Sequence, residues 1–281
     1  MRTGGKRIAA RFEKLRAEGR GALIPFLEAY DPDLATSAAI LRGLPAAGAD
    51  LIEIGVPFTD PAADGPIIQR AGQRALKSGA TLEGTLTMVE NFRNADTETP
   101  IVLMGYLNPV LAYGVARFCA DAERCGVDGL IVVDMPAEEA DELLPHMRQG
   151  GLDLIRLVAP TTDDARLPFV LNEATGFVYY VAIAGITGTR SASGQELAQA
   201  IPRVRAHTTL PIAIGFGIRR PDQVAQAVQI ADGAVVASAL IETLAASLDE
   251  NGRPQAGTVD LVLDQVRSLA AAARGTVDVA A

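Results

Sequence analysis

The sequence predicts an α/β fold, a (β/α)8 TIM barrel, from two observations: eight short runs rich in Val, Ile and Leu, and helical spacing in most of the intervals between them. The runs are ALIPF (22–26), LIEIG (51–55), IVLMG (101–105), GLIVVD (129–134), LDLIRLV (152–158), GFVYYVA (176–182), LPIAIGFG (210–217) and GAVVAS (233–238). Between them, apolar residues recur at helical intervals, as in Phe118, Ala122 and Cys125, or Val224, Ala227 and Val228. Alternating strands and helices build a parallel sheet, and eight such units argue for closure into a barrel over an open sheet.

The elements follow in order. Ile8, Phe12 and Leu15 fall at i, i+4 and i+7, so an amphipathic N-terminal helix is expected over about residues 7–18. The same stretch carries Glu13 and Glu18 and lacks the apolar run of a signal peptide. DPDLATS (31–37) and RRPDQVAQA (219–227) supply the Asp and Pro chemistry of helix starts. Gly43 and Pro45 are expected to end the first of those helices early or to kink it. PFTDPAADGP (57–66) is too rich in Pro, Asp and Gly for helix, so the second strand is followed by an extended loop, with helix expected from about Gln69 to Lys77. No linker or break in composition divides the chain, which reads as a single barrel domain over 1–281 with an Ala-rich tail, about 270–281, expected to fray.

Composition narrows the function. With 49% hydrophobic residues, 8 Phe, 5 Tyr and no Trp, aliphatic side chains must fill the core. A formal charge of −9 with no basic cluster argues against nucleic acid as a partner. A small phosphorylated substrate is compatible with that charge, because backbone amides at helix N-termini bind phosphate regardless of net charge. Cys119 and Cys125 form neither a disulfide framework nor a four-ligand metal site, and a reducing compartment fits them best. His146 and His207 are the only histidines, too few and too isolated for a His-rich metal centre. No metal is expected. No apolar stretch approaches the roughly 20 residues of a membrane span, so no membrane association and a cytoplasmic location are expected.

Chemistry concentrates at the strand ends. In LIEIG, alternation places Leu51, Glu53 and Gly55 on one face and Ile52 and Ile54 on the other. If the isoleucines face the helices, Glu53 points into the barrel near its C-terminal mouth, where a desolvated carboxyl can act as a general acid/base. A structural partner for a buried Glu is the competing reading. Asp60 and Asp64 lie in the following Pro-rich loop, each either a turn-capping residue or a substrate contact. AGITGTRSASG (184–194) has the composition of a loop that closes over substrates. GFGIRRP (215–221), and a short helix begun by Ala237 and Ser238, fall where barrels of this type bind phosphate.

GADLIEIGVPFTDPAADGPIIQRA (48–71) resembles the signature of the tryptophan synthase α chain family. Further matches are IPF (24–26), MGYLNP (104–109), GVDGLIVVDMP (126–136), AGITGTR (184–190) and GFGIRRPDQV (215–224). The resemblance implies a lyase that cleaves indole-3-glycerol phosphate into indole and glyceraldehyde 3-phosphate late in tryptophan biosynthesis. It implies no cofactor in this chain, with pyridoxal phosphate only in a β subunit partner, and an α2β2 heterotetramer. Carried over by position, Glu53 shuttles protons, Asp64 stabilises positive charge at the indole N–H, and Tyr179 stands near the glycerol portion. Phe26, Ile131, Val133 and Phe216 would line the indole pocket, and Gly188, Gly217 and Ser238 would bind phosphate. Thr187 would meet the Asp64 region on loop closure, and Pro57, Asp60 and Asn108 would contact the β subunit.

The chain departs from the family pattern at four places. Glu28 and Tyr30 stand where Thr and Gly are usual, Ala182 where Ser is usual, and Ala237 where Gly is usual. Two other functions fit parts of the sequence: a sugar-phosphate isomerase or epimerase on the same barrel, and a protein that chiefly binds and activates a β subunit. The pairing of Glu53 with Asp64 favours the lyase over the first, and Glu53, Asp64 and Tyr179 together favour it over the second.

Overall fold

The structure, a computed structural model, describes residues 6–182, 194–215 and 217–275. Its strands are β1 (Ala22–Glu28), β2 (Ile52–Gly55), β3 (Ile101–Gly105), β4 (Gly129–Val132), β5 (Asp153–Leu154), β6 (Arg156–Val158), β7 (Val178–Val181), β8 (Ile212–Gly215) and β9 (Gly233–Val236). Every pairing between them is parallel, in the order β5-β4-β3-β2-β1-β9-β8-β7-β6. The two ends of that order, β5 and β6, are consecutive in the chain and separated only by Ile155. The sheet therefore returns on itself as a (β/α)8 TIM barrel. The run 152–158, expected as one strand, is split because its lower part pairs with β4 and its upper part with β7. Such a change of partner along one strand is what the stagger of a tilted barrel imposes.

Two apolar layers follow from period-two alternation. Ile52 and Ile54 belong to the layer between sheet and helices, whereas Leu51 joins Ile24, Val102, Ile131, Phe177, Tyr179, Ala213 and Val235 inside the barrel. The helix Lys6–Ala17 closes the barrel floor with buried Ile8, Phe12 and Leu15, and the Phe12 ring lies 5.8 Å from that of Phe177.

Two expectations about helices need correction. The helix Leu34–Ala47 runs unbroken through Gly43 and Pro45 and ends at Gly48, whose φ of 104° suits glycine. Buried Ile40, Leu41, Leu44 and Ala47 hold its last turns against the barrel, and this tertiary packing outweighs the local signals. Gly43 is a packing contact: a Cβ there would overlap Leu263 of the C-terminal helix Thr258–Ala273. The helix expected from about Gln69 starts at Pro66, because proline suits a first helical position and Gly65 before it is extended. Cys119 and Cys125 both lie buried and unpaired in the helix Val115–Cys125.

One turn recurs where helices return to strands. Gly48, Gly126 and Gly151 end helices at φ of 104°, 89° and 66°, and two residues later come Asp50, Asp128 and Asp153 at the floor of the barrel. Asp50 takes a two-pronged ion pair from Arg20 (both 2.9 Å) and the Leu23 amide. Asp128 takes Arg7 (2.7 Å), Arg93 (2.9 Å) and the Ile101 amide. Arg7 thus fastens the floor helix to the barrel. No helix among the described residues is long and apolar enough to cross a membrane.

Candidate active site

The mouth of the barrel is built from strand ends and the loops that follow them. Phe26 pairs in register with Glu53, and Glu28 with Gly55, so β1 and β2 carry an inward aromatic ring and two inward carboxyls. Glu53 is 1% exposed and its Oε2 has no hydrogen-bond partner. Burial, reinforced by the nearby Asp64 carboxylate, pushes its pKa up to about 8. Such a group is protonated at neutral pH and can both give and take a proton.

Asp64 lies in the rigid loop after β2, where its amide bonds to the Pro61 carbonyl at 3.1 Å. Burial raises its pKa to about 6, while a hydrogen bond with the Tyr106 hydroxyl opposes that rise. Tyr106 also accepts the Ala63 amide at 2.9 Å and packs its ring 5.3 Å from Phe58. It therefore holds the Asp64 loop from two sides. Sequence reasoning missed Tyr106, although continuing the inward series Val102 and Met104 by two residues reaches it.

Tyr179 is buried inside the barrel, its hydroxyl pKa driven up by burial and by Glu53. Its ring fits because the facing residue of β8 is glycine: a Cβ on Gly215 would overlap the Tyr179 ring and hydroxyl. Ala213, directly opposite Tyr179 in register, is also small. The glycine that sequence alone suggests for a turn thus serves a side chain on the neighbouring strand.

A cleft of about 360 Å³ opens above these groups, lined by Phe26, Glu28, Gly55, Phe58, Asp64, Met104, Tyr106 and Val133 among others. Of the residues singled out in the sequence, Phe26, Asp64 and Val133 line this cleft together. Ile131 lies deeper, in the barrel-interior cluster with Tyr179. Glu53 lies two residues below Glu28 in register and does not line the cleft itself. Round the mouth from β1, half-buried Ser238 opens the helix Ser238–Ala246 after the adjoining strand β9, and Gly217 (φ 80°) follows β8. β8 and β9 are paired, so these two positions share one rim. Ala237 caps that helix at a φ of −117°, open to any L-residue, and packs toward Phe26. Thr187, Gly188 and Phe216, with the loop at 184–193, lie outside the described residues.

Pro57 is half-buried and Asp60 and Asn108 are exposed, on the loops after β2 and β3. Tyr30 holds a φ of 66°, the only positive φ at a non-glycine among the described residues. Its position is fixed by its amide bonding Ser37 Oγ (3.0 Å), by its carbonyl accepting from Ser78 Oγ (3.1 Å), and by a ring seated on Gly84. Among the described residues no group of three or more His, Cys, Asp or Glu could hold a metal ion.

Comparison with known proteins agrees with this geometry. The family model described as "Tryptophan synthase alpha chain" matches residues 12–272. A tryptophan synthase alpha chain of Granulibacter bethesdensis is 67% identical over 268 residues, covering 95% of this chain and 96% of the relative. One of Acidiphilium cryptum is 64% identical, covering 96% and 98%. Among solved structures, tryptophan synthase subunit alpha from Legionella pneumophila superposes with a TM-score of 0.88 at 37% identity, covering 96% of this chain and 98% of that one. A chain of Mycobacterium tuberculosis tryptophan synthase gives 0.85 at 36%, covering 95% and 98%.

Proposed function

The chain belongs to the tryptophan synthase alpha chain family, and from that premise we propose how its own residues perform the family's reaction. The chain is a lyase that cleaves indole-3-glycerol phosphate to indole and glyceraldehyde 3-phosphate in tryptophan biosynthesis. Protonated Glu53 delivers its proton to the indole ring carbon that bears the glycerol chain. The ring becomes an indoleninium cation, and the Asp64 carboxylate stabilises the charge that develops at its N–H. The Glu53 carboxylate then takes the proton of the adjacent glycerol hydroxyl. The carbon–carbon bond breaks, its electron pair returns to the ring, and the hydroxyl carbon leaves as the aldehyde.

The observation that carries this reading is a fully buried Glu53 with one oxygen unpartnered and a raised pKa beside Asp64. Tyr179, whose hydroxyl feels the Glu53 carboxyl, faces the glycerol portion. Phe26, Ile131, Val133 and Phe216 enclose the indole. Gly188, Gly217 and Ser238 hold the phosphate, and Thr187 meets the Asp64 region when its loop closes. Exposed Asp60 and Asn108, with half-buried Pro57, lie on the loops after the paired strands β2 and β3 and would contact a β subunit in an α2β2 assembly. Pyridoxal phosphate belongs to that partner, and this chain acts without a cofactor of its own. The continuous barrel sheet supports reading 1–281 as one domain.

The test is indole release from indole-3-glycerol phosphate, with and without a β subunit, by the native chain and Glu53→Gln. Loss of about three orders of magnitude is expected in the variant. Unchanged release would overturn the assignment. The pH dependence of kcat/KM gives a second check. Asp64 must be ionised and Glu53 protonated, so activity falls below about pH 6 and above about pH 8.

A further inference from the structure

Glu28 is a buried carboxyl with no part in the mechanism above. It ends β1, is 4% exposed, and lines the same cleft as Asp64. Two glycines make its seat. A Cβ built on Gly55 would overlap Glu28 Oε2, and one built on Gly72 of the helix Pro66–Lys77 would lie 3.5 Å from Oε1. Both carboxyl oxygens are thus enclosed where β2 and this helix carry no side chain.

The charged and titratable groups around it come from four segments. Asp64 lies on the β2 loop with Tyr106 hydrogen-bonded to it, and Glu53 stands two residues below Glu28 in register on β2. Asp31 follows its own strand, and Arg74 lies on the helix Pro66–Lys77. Arg74 is already committed to Asp31 through Nε–Oδ1 at 2.7 Å and Nη2–Oδ2 at 2.8 Å. The nearest cation therefore neutralises Asp31, and the ionised neighbour facing Glu28 across the cleft is Asp64. Two carboxylates lining one cleft without an ion-pair partner of their own cannot both ionise cheaply, and the more buried of the two keeps its proton.

We propose that Glu28 is a positioning residue for Asp64: a neutral carboxylic acid sharing the substrate cleft, so that the pair presents one negative charge, on Asp64, toward the indole nitrogen. The inference rests on the assignment of Asp64 made above. Burial and the Asp64 and Asp31 carboxylates hold the Glu28 pKa well above the ordinary glutamate value. A single charge matches the single positive charge of the indoleninium. Ionising Glu28 as well would add a second negative charge to a cleft that must admit a phosphorylated, anionic substrate.

The experiment follows Glu28 directly, by carbon-13 NMR titration of glutamate side-chain carboxyls in the native chain, Glu28→Gln and Asp64→Asn. Glu28→Gln should delete one resonance that titrates on the alkaline side of the ordinary range. Asp64→Asn should move that titration down by about one pH unit or more. A Glu28 that titrates in the ordinary range, or one indifferent to Asp64→Asn, overturns the proposal. The second arm measures equilibrium binding of indole-3-glycerol phosphate in the slow Glu53→Gln background, with and without Glu28→Gln, from pH 6.5 upward. Kd should steepen toward about tenfold per pH unit as Glu28 ionises, and this limb should vanish in the double variant. Glu28→Thr, a smaller neutral residue, should also abolish the limb, which separates loss of charge from a packing defect. A limb that persists in both double variants overturns the proposal. Rapid turnover by Glu53→Gln would instead overturn the lyase mechanism, while the NMR arm still decides the role of Glu28.

Discussion

The floor and the mouth of this barrel both bury carboxylates, and, apart from Asp31 with its Arg74 partner, they treat them in opposite ways. At the floor, Asp50 and Asp128 are each gripped by arginine and by a backbone amide, and Asp232 takes Arg205 and the Ile212 amide, both at 2.8 Å. At the mouth, among the described residues, Glu28, Glu53 and Asp64 have no such ion pair; burial drives all three pKa values upward, as it does that of Asp128, but there Arg93 and Arg7 oppose the rise. A carboxylate saturated with donors can join segments of chain but cannot move a proton. One left unsatisfied destabilises the fold, yet it can exchange a proton with a ligand. The same side chain thus serves structure at the N-terminal ends of the strands and chemistry at their C-terminal ends.

The largest expected effect lies at the floor. Asp128→Ala takes the shared carboxylate from Arg7 and Arg93, which keep their backbone carbonyl partners, and frees the Ile101 amide; loss of one partner from such a buried cluster costs about 3–5 kcal/mol. Denaturant unfolding measures this, and kcat per folded molecule should be retained. A cost below about 1 kcal/mol would show that the floor network is ornamental. At the mouth, Asp64→Ala should lower kcat by about a hundredfold with a modest change in KM, because its charge is needed chiefly once the indoleninium forms. Its stability should hold or rise. Equal changes in kcat and KM would make Asp64 a general binding residue.

Asp153 tests the comparison from within the floor. It occupies the same turn as Asp50 and Asp128, yet its Oδ2 has no partner and burial lifts its pKa to about 6. A folded value above the unfolded one means that stability is lost as pH rises from about 4 through 6. Asp153→Asn should therefore stabilise by about 1–2 kcal/mol above pH 6, after discounting for partial exposure, and the gain should vanish below about pH 4. Thermal unfolding at pH 5 and pH 7.5 would reveal it. No difference between the two would mean that water already satisfies the carboxyl.

What was legible in the sequence was what is local. Alternation in LIEIG aims Glu53 inward because each side chain's face depends only on its position along one strand. The barrel itself follows from eight repeats of one local pattern. What was not legible depends on contacts between distant segments. Gly215 leaves room for Tyr179 on another strand, Gly43 makes way for Leu263, and Asp50 is held by Arg20 thirty residues away. The helix over Pro45 shows the same limit, since a proline is a local signal and the packing that overrides it is not. The recurring Gly-x-Asp at the entry to β2, β4 and β5 is visible in the sequence, but which of its carboxylates meet arginines, Asp50 and Asp128, is not.

The smallest expected effect separates two parts of the mouth. Ser238 opens the helix Ser238–Ala246 on the rim shared with Gly217, beside β1 but outside the lining of the cleft that holds Glu28 and Asp64. Its hydroxyl would give one hydrogen bond to a phosphate, while the free amides of the first helical turn remain available without it. A hydrogen bond to a charged acceptor contributes about 1.5 kcal/mol, so Ser238→Ala should raise KM by about tenfold. The phosphate takes no part in bond breaking, and its contacts are the same before and during the reaction. kcat should therefore stay within about twofold, the signature of uniform binding. A parallel fall in kcat would mean that anchoring the phosphate also sets the substrate against Glu53, and the two halves of the mouth would then have to be treated as one device.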